Sequence, residues 1–104
     1  MTPAAKIQEY IKKRVQGSGG SYRKVRWEGR RGCPDCFVWW QWPTAAFIEV
    51  KAGRDRLHPL QAREIARMRD CGIPVYTVST TEDVDVVLSL IKNMLQPSVA
   101  SGIR

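Results

Sequence analysis

The sequence predicts an α/β domain with the element order αβββαβα and a central mixed sheet flanked by helices. Apolar residues recur at helical spacing in three segments, at both ends and in the middle of the chain. Short runs rich in β-branched and aromatic residues lie between those segments. With 104 residues, the chain has the size of one domain, so these elements are expected to share one core.

The first helix is predicted over residues 3–16. Thr2 can cap it, and Pro3 suits a first helical turn. The glycine-rich segment 17–20 ends it. Its apolar residues recur every three or four positions, at Ala4, Ile7, Ile11 and Val15.

Three strands are predicted next, over 22–27, 35–42 and 45–51, the last two forming a hairpin. Trp40 and Trp42 are expected on the face of Val38, and Trp39 on the opposite face with Phe37. So much aromatic strand surface on a small protein favours self-association and predicts a homodimer. Stacking of DNA bases on these aromatic side chains is a secondary hypothesis.

The second half of the chain is predicted to continue with a helix over 59–71, a strand over 73–78 and a final helix. Gly72 ends the second helix, and Thr80 or Thr81 caps the third. Residues 96–104 lack periodicity and are expected to be a flexible tail, so the domain is predicted over residues 1–95.

The charge balance favours a polyanionic partner, because 17 Lys and Arg face 10 Asp and Glu, a net charge of +7. Three cysteines argue against a disulfide framework, and no apolar stretch is long enough for a membrane span, so a cytoplasmic protein is expected. The basic residues cluster on both sides of the hairpin's acidic residues. The expected DNA contacts are Arg23, Lys24, Arg26, Arg30, Arg31, Arg54 and Arg56, with Arg63 and Arg67 farther along.

One acidic constellation points to chemistry. Asp35 precedes the hairpin, and Glu49 and Lys51 near its end share one strand face. Two carboxylates beside an ammonium are costly to bury without a compensating cation. A divalent metal supplies that compensation, so the segment indicates a metal-dependent nuclease. The alternative is a Glu–Lys ion pair on the protein surface with no catalytic role.

These residues resemble the VRR-NUC branch of the restriction-endonuclease-like PD-(D/E)xK superfamily. The resemblance covers roughly residues 4–90 and extends to the glycine at 72 and the strand after it. Its motifs are Gly32-Cys33-Pro34-Asp35, Ile48-Glu49-Val50-Lys51 and Leu57-His58-Pro59-Leu60-Gln61.

The resemblance implies that Asp35, Glu49 and the Val50 carbonyl hold Mg²⁺ or Mn²⁺. It gives Lys51 the role of orienting water or stabilising charge, and it implies that Gln61 contacts the site. It further implies a stand-alone phage or bacterial DNA endonuclease acting on branched, Holliday-junction-like DNA. From the residue pattern alone, Gln61 lies at the start of a buried stripe on its helix, where its amide needs hydrogen-bond partners. A backbone cap at the end of the helix is the alternative to a contact with the site.

The first helix departs from the family pattern, which usually places a glutamate facing the metal. The aligned position holds Gln8, beside the apolar stripe, and Glu9 lies nearly opposite that stripe. Gln8 is therefore expected to face the site and to bind a water held by the metal. Glu9 is expected to be a solvated charge. With one carboxylate fewer, one ion is expected rather than two.

Two other readings compete. A catalytically weak or inactive DNA-binding module would share the basic clusters, and Gln8 in place of an acid favours it. A small zinc-stabilised protein would use Cys33, Cys36, Cys71 and His58, although a lone CxxC is a weak zinc or redox signal. For His58, helix capping or a phosphate contact is expected instead of ligation.

Overall fold

A computed structural model describes residues 1–95 and gives the predicted element order αβββαβα. The helices are α1 (Pro3–Gly17), α2 (Pro59–Asp70) and α3 (Thr81–Lys92), with a short 3-10 helix at Asn93–Leu95. The strands are β1 (Ser21–Lys24), β2 (Cys36–Trp39), β3 (Ala45–Val50) and β4 (Val75–Val78). The predicted tail, residues 96–104, lies outside the described residues.

The four strands form one mixed sheet in the order β1-β2-β3-β4. β1 and β3 both pair antiparallel with β2, and β4 pairs parallel with β3. A parallel neighbour needs a crossover, and α2 provides it between β3 and β4. The predicted α/β class and mixed sheet are confirmed.

One face of the sheet carries the larger core, beneath α1 and α3. The stripe predicted on α1 is buried there, and its Ile11 and Val15 are fully enclosed. Alternate residues of the central strands, such as Val38 and Ile48, meet it from the sheet. The core members contributed by α3 are Val84, Val87, Leu88 and Ile91.

The opposite face is covered by α2 through a smaller cluster. Ile65 and Met68 of α2 pack with Val75 of β4, and Trp27, Phe47 and Leu57 border the cluster. The helix α2 leaves part of this face open, and Phe37 and Trp39 of β2 are therefore only half-buried. The candidate site lies on this second face, at the start of α2.

The strands are shorter than predicted, for local reasons. β2 ends at Trp39 because Trp40 N donates to Thr44 O across a turn. Trp40 then packs against the main core, but Trp42 is 79% exposed, so the prediction that Trp42 shares the face of Val38 is wrong. Ile73 does not begin β4, since its N–H caps α2 at Met68 O.

The helix ends follow capping chemistry. Thr80, and not Thr81, caps α3: its side chain accepts from Asp83 N, while the Asp83 carboxylate accepts from Thr80 N. Thr2 caps α1 as predicted, accepting from Ala5 N. Among the helices described, none is long and apolar enough to cross a membrane.

Candidate active site

The hairpin places the two predicted carboxylates opposite each other. Cys36 of β2 pairs with Ile48 of β3, so continuing that register by one position sets Asp35 beside Glu49. Directly opposed residues of antiparallel strands have Cα atoms about 5 Å apart. The two side chains therefore leave the sheet as neighbours on the α2 face.

Contacts on both sides of its loop hold Asp35 in place. Its Oδ2 accepts from the backbone N–H of Val50 over 2.7 Å, and Pro34 before it is fully buried. Gly32 has φ +101°, and a Cβ there would lie 2.7 Å from the Leu60 carbonyl oxygen in α2. The glycine thus lets this loop press against the start of α2, which fixes where Asp35 projects.

Glu49 is fully buried, and its two carboxylate oxygens differ in their contacts. Oε2 lies 3.0 Å from Nζ of Lys51 and accepts from Gln61 Nε2 over 3.1 Å. Oε1 is buried and has no hydrogen-bond partner among residues 1–95. A buried acceptor without a donor is costly, so this oxygen is where the site lacks a counterpart.

Gln61 both contacts the site and caps the helix, the two roles that the sequence predicts as alternatives. Its Oε1 accepts from the backbone N–H of His58 over 3.0 Å, which caps α2, while its Nε2 donates to Glu49. The His58 Nδ1 accepts from Leu60 N, so the predicted capping role of His58 is confirmed. The first turn of α2 is in this way tied to the carboxylate pair.

The negative charge of the buried Glu49 carboxylate is only partly compensated by neighbouring positive charge. Burial raises the pKa of Glu49, the hydrogen bond from Lys51 opposes the shift, and the charge of Asp35 adds to it. The net pKa shift is upward, so one ammonium, itself 22% exposed, does not fully compensate the buried carboxylate.

This geometry agrees with the comparisons to known proteins. The model of the VRR-NUC domain matches residues 4–82. The chain belongs to the VRR-NUC family. A solved structure described as a VRR_NUC domain is 34% identical, with a TM-score of 0.80, covering 86% of this chain and 97% of that one. No curated protein sequence matches the chain. VRR-NUC domains are nuclease-type domains, so a nuclease of DNA is the activity this fold supports.

The donor set of this VRR-NUC site fits a hard divalent cation. Asp35 and Glu49 supply carboxylate oxygens, which Mg²⁺ and Mn²⁺ prefer, and Glu49 Oε1 has no other partner. Within residues 1–95, however, no three His, Cys, Asp or Glu side chains gather into a metal-binding group. The site thus offers two carboxylates and needs backbone or water oxygens to complete a coordination shell.

The same finding removes support from the zinc reading. His58 and Cys71 cap opposite ends of the 12-residue α2, so they lie roughly 18 Å apart. Cys36 is buried within β2, with its thiol directed to the Ile48 carbonyl. These residues do not converge on one ion.

Gln8 and Glu9 both border a shallow groove between α1 and β1, together with Tyr22 and Lys24. No hydrogen bond joins Gln8 to Asp35 or Glu49, so its role toward a metal stays a prediction. Glu9 is half-buried, not fully solvated as expected, because this flank of α1 lies against β1. The pKa of Tyr22 is raised mainly by burial, and the charges of Cys36, Asp35 and Glu9 add to the upward shift.

Two basic grooves meet near the start of α2. Arg31 borders both: one contains Lys51, His58 and Gln61, and the other runs along α2. Arg30 and Arg67 reach the second groove and contact Glu64 at 3.3 and 3.8 Å. The sequence gives no sign that Glu64 organises these arginines, since Arg30 lies 34 residues away.

The other predicted DNA contacts are spread more widely. Arg23 and Lys24 lie on the edge strand β1, and Arg26, Arg54 and Arg56 lie in exposed loops. The structure therefore places Arg31 beside Lys51 and Gln61, whereas Arg30 borders the groove along α2 together with Arg63. Their contacts with DNA stay predictions.

Proposed function

We propose that this VRR-NUC protein is a Mg²⁺- or Mn²⁺-dependent endonuclease that hydrolyses phosphodiester bonds of branched, Holliday-junction-like DNA. The observation that carries the proposal is the buried Oε1 of Glu49, which has no hydrogen-bond partner among residues 1–95, in a residue that lies opposite Asp35 in the hairpin. An acid kept in this state destabilises the fold and is expected where a cation binds.

Asp35, Glu49 and the Val50 carbonyl would hold the metal. When bound, such an ion supplies an acidified water and polarises a phosphate oxygen. One ion is expected, because the family resemblance aligns Gln8 with the position at which a further carboxylate would hold a second ion.

The surrounding side chains would act on charge and orientation. Lys51 keeps an ammonium 3.0 Å from Glu49, where it can stabilise the negative charge that develops on a phosphate during hydrolysis. Gln61 keeps the Glu49 carboxylate oriented, since its amide is fixed at both ends. Asp35 is held by Val50 N–H and leaves its second oxygen for the ion.

The basic groove along α2 would bind the DNA backbone. Arg30, Arg31, Arg63 and Arg67 border it, and a chain of net charge +7 attracts phosphates over a long range. A homodimer with two-fold symmetry would present two such sites, which suits paired cuts in a symmetric junction.

The experiment is a cleavage assay on labelled four-way junctions, flaps and linear duplexes of matched sequence, with Mg²⁺, Mn²⁺ or EDTA. Asp35→Asn, Glu49→Gln and Lys51→Met are expected to abolish cleavage while leaving DNA binding in place. Asp70→Asn, an exposed acid at the far end of α2, is the matched control. Cleavage that survives all three site variants contradicts the assignment.

A DNA-binding module without catalysis is the second candidate, because Gln8 aligns with the family's glutamate and, within residues 1–95, no third carboxylate joins the pair. Its DNA affinity would depend on salt but not on metal. Metal titration of DNA binding and of cleavage in parallel separates the two functions.

A further inference from the structure

The sheet face that carries the carboxylates continues into an aromatic surface. In the strand register, Arg23, Phe37 and Phe47 lie side by side, two residues beyond the pair formed by Asp35 and Glu49. Trp39 lies two residues farther along β2 on the same face. At ~3.3 Å per residue, Phe37 is about 7 Å and Trp39 about 13 Å along the strand from Asp35.

These rings form a continuous group. The Phe37 ring lies 5.5 Å from Trp39 and 4.6 Å from Phe47, measured between centroids. α2 covers the Phe47 end through Ile65 and Met68, but it does not reach the Trp39 end. Phe37 and Trp39 are half-buried, so each presents part of its ring to solvent beside the site.

A cation accompanies the outermost ring. The guanidinium carbon of Arg23 lies 5.1 Å from the Trp39 ring centre, and Arg23 is exposed on the edge strand β1. Arg23 Nη1 donates to the Tyr22 carbonyl over 2.8 Å, and its other N–H groups can reach a phosphate oxygen while its plane contacts the ring. We call Arg23, Phe37 and Trp39 the aromatic platform.

We infer that the aromatic platform binds unpaired bases of the DNA strand whose phosphate lies at Asp35 and Glu49. Base–aromatic stacking accepts any base, and Arg23 would contact the adjoining phosphate. The platform lies roughly two to four stacked nucleotides from the carboxylates. This inference rests on the proposed nuclease function and adds the feature of the substrate that is recognised.

The charge of the platform favours nucleic acid over a second copy of this chain. In a two-fold contact through this surface, Arg23 of each copy would approach the same positively charged region of the other. A polyanion meets no such repulsion. The unpaired strand is therefore the occupant we assign.

Substrate selectivity follows from this assignment. Bases inside a continuous duplex are stacked on their neighbours and cannot reach Trp39 without being extruded. Bases at a flap, a fork or a distorted branch point are already available. The platform thus gives a physical reason for a preference for DNA with unpaired nucleotides over intact duplex.

The test uses 2-aminopurine, whose fluorescence is quenched on stacking, at each of the first six unpaired positions of a forked duplex. Binding of the full chain is measured in EDTA, so the result does not depend on cleavage. Quenching beyond the free-DNA level at positions two to four, with none in the duplex arm, is expected. Equal signals at every position would overturn the proposal without any variant being needed.

Variants then locate the contact. Trp39→Ala is expected to weaken fork binding about tenfold, the size of one lost base stack, and to leave duplex binding unchanged. Trp39→Phe should restore most of the loss, because a ring remains. Leu90→Ala, an exposed apolar side chain on α3 across the sheet from the platform, is the control.

Three results would overturn the inference. They are equal loss of fork and duplex binding in Trp39→Ala, unchanged fork binding, and conversion of a dimer to a monomer in sedimentation. The last would make the platform a contact between copies. If fork binding follows the platform but no DNA is cleaved with Mg²⁺ or Mn²⁺, the proposed function fails while the platform stands.

Discussion

The side-chain amide of Gln61 joins the first turn of α2 to the buried carboxylate of Glu49. It donates to Glu49 Oε2 over 3.1 Å and accepts from the backbone N–H of His58 over 3.0 Å. A single residue thus caps the start of a helix and orients an acid. The position of α2 and the geometry of the carboxylate pair are consequently coupled.

Substituting Gln61 is expected to impair both the site and the helix start. Gln61→Leu removes both hydrogen bonds, so we expect a loss of about 1–2 kcal/mol in the free energy of unfolding. Cleavage should fall roughly 10- to 100-fold, mainly in kcat, since the residue orients Glu49 and does not bind DNA. Denaturant unfolding and steady-state kinetics measure these effects. Gln41→Leu, exposed in the hairpin turn, should change neither quantity, and a wild-type kcat in Gln61→Leu would contradict the coupling.

Neutralising Glu49 is expected to stabilise the metal-free protein while abolishing cleavage. Burial raises the pKa of Glu49 in the folded chain, so the unfolded chain loses this proton first as the pH rises. The resulting penalty is absent below the unfolded pKa and complete above the folded pKa. Glu49→Gln should therefore gain roughly 1 kcal/mol at pH 8 in EDTA, and almost nothing at pH 3.

Calorimetry of Glu49→Gln and wild type across that pH range measures the difference. Asp70→Asn serves as the control for the loss of one negative charge at an exposed position. A Glu49→Gln variant that is less stable than wild type at pH 8 would show that Lys51 and Gln61 already compensate the buried charge.

The loop before Asp35 is expected to tolerate no side chain at Gly32. Gly32→Ala meets the Leu60 carbonyl at 2.7 Å and also adopts an unfavourable positive φ, so we expect a loss of about 2 kcal/mol or more in stability. Gly29→Ala has φ +70° but open space around it, so it measures the φ cost alone. Equal destabilisation in chemical unfolding of the two variants would show that the contact with α2 is unimportant.

The cysteines are expected to differ sharply in reactivity. Burial raises the pKa of Cys36 to about 12 and also raises that of Cys33, whereas Cys71 is exposed at the end of α2. At pH 7.5, Cys71 should react first with a thiol reagent, and Cys36 only on unfolding. Mass spectrometry of partly labelled protein, with Cys71→Ser as the control, identifies the sites. Rapid labelling of Cys36 in the folded protein would be inconsistent with its burial.

Much of this fold could be predicted because its signals are local. The stripe on α1, the caps at Thr2 and Thr80, and the alternation through β3 each depend on residues a few positions apart. The approach of Asp35 to Glu49 could also be anticipated, since a hairpin brings its two ends together. The fold class and element order were confirmed on this basis.

Other features depend on contacts that spacing does not encode. The approach of Gly32 to Leu60 and the pairing of Arg30 with Glu64 join segments about 30 residues apart. The exposure of Trp42 depends on where the hairpin turn begins, one residue after Trp40. The half-burial of Glu9 depends on how α1 lies against β1, which its own helical wheel does not specify.

The most direct test of the account is the binding of Mn²⁺ to the protein without DNA, followed by calorimetry and electron paramagnetic resonance. We predict one bound ion per chain in wild type and in Asp70→Asn, and loss of that ion in both Asp35→Asn and Glu49→Gln. Undiminished Mn²⁺ binding in those two variants would contradict the claim that Asp35 and Glu49 share one cation.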